Sequence, residues 1–392
     1  MGGERAMRIG IDARFLTHPQ EGGFKTYTEN IVHGIAALDR RNEYVLFTDR
    51  ETDETAAFVG NVEVRAIGGP AIVREQALLP LAMWNSGIDV AHFPCNTAPI
   101  WKPTRMLLTI HDLIPLMNPP RRKSAKQRLM AAYWANVIPA AAKRADHIIT
   151  ISETSKNDIR KILGVPEEKI TIIPNGSHPD FRPIRDEEYL DEMREKYQLP
   201  NDYVLGFASS DPRKNVGTLI KSIGILRSKG VDSELVLVAC SSEAWESVKE
   251  LAKNGDVEPR LVQCPPRKDL AAIYSMANAL AFPSLYEGFG LPVIEAMACG
   301  TPVVTSNVSS LPEVAGDAAL LVDPMDAGAI ADALSKVITD SYWREEMVEK
   351  GFARASSFSW QRTVEQTIAV YEKVFAEALT KAKPQPEGGG TK

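Results

Sequence analysis

Two carboxylates, Glu287 and Glu295, frame the stretch Gly288-Phe-Gly-Leu-Pro-Val-Ile294. A carboxylate accepts hydrogen bonds from hydroxyl groups, so a pair of them around a glycine loop suits a polyol. The loop follows the apolar run Ala279–Phe282, which reads as a buried strand. Pro292 suits the first turn of a short helix, and Gly300 suits its end. The backbone N–H groups of Gly288, Phe289, Gly290 and Leu291 then stand at the positive end of that helix, where an anion is stabilised. A polyol joined to a phosphate meets both requirements.

Three further stretches place reactive groups at the ends of expected strands. In Ser209-Ser-Asp-Pro-Arg-Lys-Asn215, Asp-Pro starts a turn and Asn215 reads as the cap of a helix beginning at Val216. Arg213 can hold phosphate oxygens at two points, and Lys214 adds a compact charge. Taken alone, an Arg-Lys pair on a loop is ordinary. His111 lies in Thr109-Ile-His-Asp112, at the carboxyl end of a strand, where parallel sheets bind ligands; Asp112 reads as a support for that loop. Gly22 and Gly23 lie between a first strand and a helix from about Thr26 to Leu38, and allow close backbone approach to a ligand. They are not the dinucleotide fingerprint, because the third glycine is missing.

The elements that must position these groups read as two α/β series. In the first, strands are expected at Met7–Asp12, Glu43–Thr48, Val62–Ala66, Val90–Phe93, Met106–Ile110, His147–Ile151 and Ile170–Ile173. In the second they fall at Tyr203–Ala208, Glu234–Ala239, Arg260–Gln263, Ala279–Phe282, Pro302–Thr305 and Ala319–Val322. Apolar runs alternating with longer helical stretches predict βαβ units and mostly parallel sheets. No fixed-period repeat is visible, so these are two domains and not a solenoid.

Glu287-Gly-Phe-Gly-Leu-Pro-Val-Ile-Glu295 resembles the E-x7-E signature of the family 4 retaining glycosyltransferases, and the likeness runs from Met7 to about Leu379. The resemblance implies the GT-B fold: two Rossmann-like domains facing a deep cleft, with a C-terminal helix crossing back to the first. Residues 1–183 with 359–380 would form the acceptor-side domain, and 184–358 the nucleotide-sugar domain. It implies that Glu287 contacts the donor sugar, that Glu295 binds the ribose, and that Arg213 and Lys214 hold the diphosphate. His111 would lie close to the sugar. Gly22 and Gly23 would face donor phosphates and acceptor, and Val262 would mark the strand end against the nucleobase. Glu313 would brace the loop Thr305–Leu311. The Asn175-Gly176 pair reads locally as a turn near the domain connection, Ser177–Pro183.

Composition fits this reading. A net charge of −6 argues against a general nucleic-acid binder. Cys95, Cys240, Cys264 and Cys299 show no metal-like spacing and are expected as reduced thiols, which suits a cytoplasmic protein. No apolar stretch is long enough to span a bilayer, and the first residues do not resemble a signal peptide. Residues 121–144 carry seven basic side chains and no acidic one, beside Leu129, Tyr133 and Trp134. Such a face is equally suited to an anionic membrane surface or to solvent, and Pro139 interrupts the helical pattern. The tail 381–392 is expected to be disordered.

The implied activity is transfer of a hexose, such as mannose or glucose, from a UDP- or GDP-linked donor to a hydroxyl of a glycan or lipid-linked acceptor. No cofactor and no metal are expected: the chain has no Asp-x-Asp triplet, and Arg213, Lys214 and the helix end at Gly290 can stabilise the leaving diphosphate. The alternatives are a nucleotide-sugar-binding protein without turnover, and a GT-B epimerase. The sequence names neither the base, the sugar, the acceptor nor the oligomeric state.

Overall fold

The computed structural model describes residues 5–18, 22–58, 60–117, 124–253 and 257–382. The tail from 383 and the basic residues 121–123 therefore lie outside the described residues. The chain divides into two compact units. One comprises the chain up to Ile151, Ser155–Ile173 and the chain from Gln361, and the other comprises Ser152–Thr154 and Pro174–Trp360. The switch at Pro174 comes earlier than the connection read from the sequence.

Among the described residues, the first unit carries seven strands: β1 (Arg8–Asp12), β2 (Glu43–Thr48), β3 (Val62–Ala66), β4 (Val90–Phe93), β5 (Arg105–Ile110), β6 (His147–Thr150) and β7 (Ile170–Ile172). They form one parallel sheet in the order β3-β2-β1-β4-β5-β6-β7. The second carries β8 (Tyr203–Phe207), β9 (Glu234–Ala239), β10 (Arg260–Gln263), β11 (Ala279–Phe282), β12 (Val303–Ser306) and β13 (Leu320–Val322). Their order is β10-β9-β8-β11-β12-β13, again all parallel. Strands such as β4, β6, β11 and β12 are buried along their whole length, because helices cover both faces of each sheet. In each sheet the order reverses beside the first strand of its series, between β1 and β4 and between β8 and β11. Ligands bind at the carboxyl ends of strands at such reversals.

The last helix, Trp360–Ala382, packs on the first unit. The Tyr371 hydroxyl bonds His92 Nδ1 at 2.7 Å, and Val364 lies against Gly34. The helix extends past Leu379, into residues expected as tail.

Several expectations change. The helix Ala125–Arg144 continues through Pro139, because Val137, Ile138, Ala141 and Ala142 bury its second half in the core. Its first half leaves Lys126, Arg128 and Leu129 exposed. No described helix is long and apolar enough to cross a membrane. Cys240 and Cys264 are not free thiols but a disulfide. Parallel pairing sets Ala239 beside Gln263, so the next residues emerge side by side with Cα atoms 4.5 Å apart, within disulfide reach. Cys95 and Cys299 are free and buried. The glycine at 176 answers to close approach: a Cβ there would lie 2.1 Å from the backbone nitrogen of Trp360.

Replacing Gly176 by Ala should therefore destabilise the protein by about 3 kcal/mol, the upper range for overpacking. Gly23→Ala, whose Cβ would meet nothing within 4 Å among the described residues, serves as the control. Urea titration of both variants checks this, and equal midpoints would contradict it.

Candidate active site

The reversal between β8 and β11 brings two loops together. After β8 the chain makes a short turn, Pro212–Lys214, capped by Asp211, whose Oδ1 accepts from the Arg213 N–H at 2.9 Å. Asn215 ends the turn in the left-handed region (φ 57°) and starts the helix Val216–Ser228. It does not cap that helix with its side chain. Its Nδ2 donates to the carbonyls of Pro283 (3.0 Å) and Pro324 (2.6 Å), tying the turn to the ends of two other strands. Leu285 N–H donates to Arg213 O at 2.8 Å and closes the two loops on each other.

Glu287 is where they meet. Its carboxylate receives Lys214 Nζ at 2.6 Å on Oε1 and Arg213 Nη1 at 2.9 Å on Oε2. Arg213 also donates to Tyr286 O and lies 3.3 Å from Asp211. The Glu287 side chain is only 11% exposed. Burial alone would raise its pKa, but the charges of Lys214 and Arg213 outweigh it and hold the carboxyl below its usual value. Glu287 is thus an ionised acceptor between two cations.

Serine hydroxyls pin the loop that follows. Ser310 donates to the carbonyls of Glu287 (2.9 Å) and Phe289 (2.7 Å), Ser152 donates to Gly288 O (2.7 Å), and Ser309 Oγ accepts the Glu287 N–H (3.0 Å). Phe289 turns its ring inward, edge-on to Phe358 at 5.5 Å, so its backbone rather than its side chain remains for a ligand. Gly290 adopts φ 119°, where glycine is favoured, and a Cβ would lie 2.8 Å from Leu311 Cδ2. The helix then runs Leu291–Ala298 with Pro292 in its first turn.

Glu295, on that helix, stands apart from the cationic cluster. Its Oε2 accepts the Tyr274 hydroxyl at 3.1 Å. Burial pushes its pKa up to about 7, against the opposing effects of the Tyr274 bond and the Arg267 charge. The two carboxylates of one motif therefore differ: one is held ionised, and the other is poised near neutrality. Tyr274 and Arg267 were not singled out in the sequence, because only the packing of the helix Arg267–Met276 beside Leu291–Ala298 reveals them. Val262 is buried on the edge strand β10. Cys264 N–H bonds Ala239 O, so the parallel ladder turns the Val262 main chain toward β9 as well. Glu313 does not brace the loop before it. Its carboxylate accepts the N–H groups of Glu153 (2.8 Å) and Thr154 (3.0 Å), which fixes Ser152 for its bond to the glycine loop.

In the first unit, His111 is buried at the end of β5. Its Nε2 lies 2.8 Å from Pro94 O, a group that only accepts, so that nitrogen carries the proton. Burial lowers its pKa to about 4, opposed by this bond, so the ring is neutral at pH 7 and its remaining Nδ1 is an acceptor. Gly22 and Gly23 are exposed at the start of the helix Gly23–Leu38. Among the described residues no group of three or more His, Cys, Asp or Glu could hold a metal ion.

Comparison with known proteins places this geometry. Residues 21–181 match the family model described as Glycosyltransferase Family 4, and residues 191–354 match Glycosyl transferases group 1. The O-antigen chain mannosyltransferase B of Escherichia coli is 33% identical over 273 residues, covering 68% of this chain and 70% of that protein. The E. coli serotype-specific mannosyltransferase WbdA is 29% identical over 292 residues, 73% of this chain but 36% of its own length. The Anabaena HepE structure, in complex with UDP and glucose, superposes with a TM-score of 0.68 at 17% identity, over 94% of this chain and all of that one. With parallel sheets in both units and these relatives, the chain belongs to the family 4, group 1 glycosyltransferases of GT-B fold and is a hexosyltransferase.

Proposed function

We propose that the protein transfers a hexose, mannose by the likeness to the O-antigen mannosyltransferase, from a nucleoside diphosphate donor to a glycan or lipid-linked hydroxyl with retention of configuration. The observation that carries this reading is the Arg213–Glu287–Lys214 cluster at the reversal of the second sheet. A leaving nucleoside diphosphate gains negative charge as the glycosidic bond breaks. Arg213 and Lys214, preorganised at low solvent exposure, stabilise that charge where it develops. Glu287 keeps both cations in place and, being ionised, accepts hydrogen bonds from sugar hydroxyls.

Retention by double displacement needs a carboxylate nucleophile on the face opposite the leaving group. Glu287 is engaged by two cations, and Glu295 is assigned to the ribose, so neither is given that role. The reading is a same-face reaction in which the departing phosphate takes the proton of the incoming hydroxyl. The new C–O bond forms on the face from which the phosphate leaves. His111, neutral and with Nδ1 as acceptor, orients a hydroxyl group and does not act as an acid.

Glu287→Gln should lower kcat at least about a hundredfold, in the range for lost electrostatic preorganisation, with donor affinity largely kept. Glu295→Gln should instead weaken donor binding. Ribose hydroxyls donate to the ionised Glu295, whose pKa in the free protein is about 7. Affinity for a nucleotide sugar, whose phosphates do not titrate here, should thus fall about tenfold from pH 8 to pH 6. In Glu295→Gln the same titration should be flat. Calorimetric titration of both variants checks this, and equal losses of affinity would refute the division of roles.

Transfer should also survive EDTA, since the two cations supply the charge that a divalent ion would otherwise provide. Loss of activity on chelation, restored by Mg²⁺ or Mn²⁺, would overturn the leaving-group account.

A further inference from the structure

The other reversal of strand order, between β1 and β4, carries a row of rings that none of these roles fully uses. His18, Phe15, Phe24, His111 and Tyr27 follow one another with ring centroids 5.6, 5.3, 5.0 and 4.6 Å apart. Tyr27 and His111 are buried, and Phe15, His18 and Phe24 are half-buried, so the outer rings keep part of their surface open. Among the described residues, a Cβ built on Gly22 or Gly23, at the helix start beside Phe24, meets nothing within 4 Å.

The outer rings sit on a fixed base. Phe15 belongs to the short turn Arg14–Leu16. Arg14 is clamped by Glu75 (2.5 Å), by Asp12 (3.2 Å) and by its bond to Thr97 Oγ1 (3.0 Å), and its guanidinium lies 5.6 Å from the Phe15 ring centre. Arg14 is thereby committed to two carboxylates and Lys25 pairs with Glu29 at 3.8 Å, while the half-buried rings of Phe15 and Phe24 keep part of their surface for a ligand. Aromatic faces are electron-rich and attract polarised C–H groups. A pyranose presents such C–H groups on one face and hydroxyls around its rim.

We propose that Phe15 and Phe24 form a stacking platform for the acceptor, and that the acceptor is a pyranose residue of a glycan. The inference rests on the hexosyl-transfer reading, since it names the acceptor class for that reaction. It assigns acceptor recognition to two phenylalanines of the first unit, which carries none of the three residues of the cationic cluster.

The test is saturation-transfer NMR on the full chain with the methyl α-glycosides of mannose, glucose and galactose. At least one should receive saturation through its ring C–H protons. Phe24→Leu and Phe15→Leu, which keep apolar bulk but remove the ring, should each cut that signal fivefold or more, while Phe24→Trp keeps it. UDP and GDP binding, measured on the same samples, should not change in any variant. Absence of saturation for all three glycosides in the unaltered protein, or signals preserved in both leucine variants, would overturn the platform. Either result could stand with nucleotide binding intact, whereas failure of nucleotide binding in the unaltered protein would count against the transferase reading itself.

Discussion

The second unit is organised around one buried carboxylate shared by two cations. Taking Glu287, Arg213 and Lys214 out of water costs several kcal/mol per ion, and their mutual attraction offsets that cost only when the geometry is good. Contacts of 2.6 and 2.9 Å satisfy this condition. They in turn require the turn Pro212–Lys214 and the loop after β11 to be held in register. Asn215 and the Leu285–Arg213 backbone bond hold the turn, and Ser309, Ser310 and Ser152 hold the loop. A group of ions that adds little to stability thus fixes where positive charge stands at the strand ends of the second sheet.

The same constraint explains why the two carboxylates of one motif behave differently. Glu287 emerges from a loop onto two cations and stays ionised. Glu295 is one helical stretch further on, against Tyr274, and burial brings it close to neutrality. Residues of identical type, a few positions apart, are given distinct chemistry by their neighbours.

Most of the strands were legible in the sequence because they are short, largely apolar runs; Glu43–Thr48, Val90–Phe93 and Ala279–Phe282 match to the residue and are buried along most or all of their length. The cationic cluster was legible in kind, since Arg213, Lys214 and Glu287 fall at strand ends that topology brings together. What escaped depends on register and tertiary contact. The pairing of Cys240 with Cys264 needs the alignment of β9 with β10, which no spacing reveals. The role of Glu313 needs residues about a hundred and sixty positions away. Pro139 lies inside a helix because burial of its neighbours outweighs the lost backbone bond. Tyr274, which sets the environment of Glu295, gives no signal beyond an aromatic at helical spacing.

The central claim is that the cationic cluster of the second unit binds the diphosphate of a nucleotide sugar. Equilibrium binding of UDP- and GDP-linked glucose and mannose to the protein and to Lys214→Met tests it most directly. At least one donor should bind the unaltered chain, and the substitution should weaken that binding tenfold or more, as expected for loss of a charge-assisted contact. Binding of the same donor with equal affinity to both proteins, or binding of none to the unaltered chain, would contradict the account.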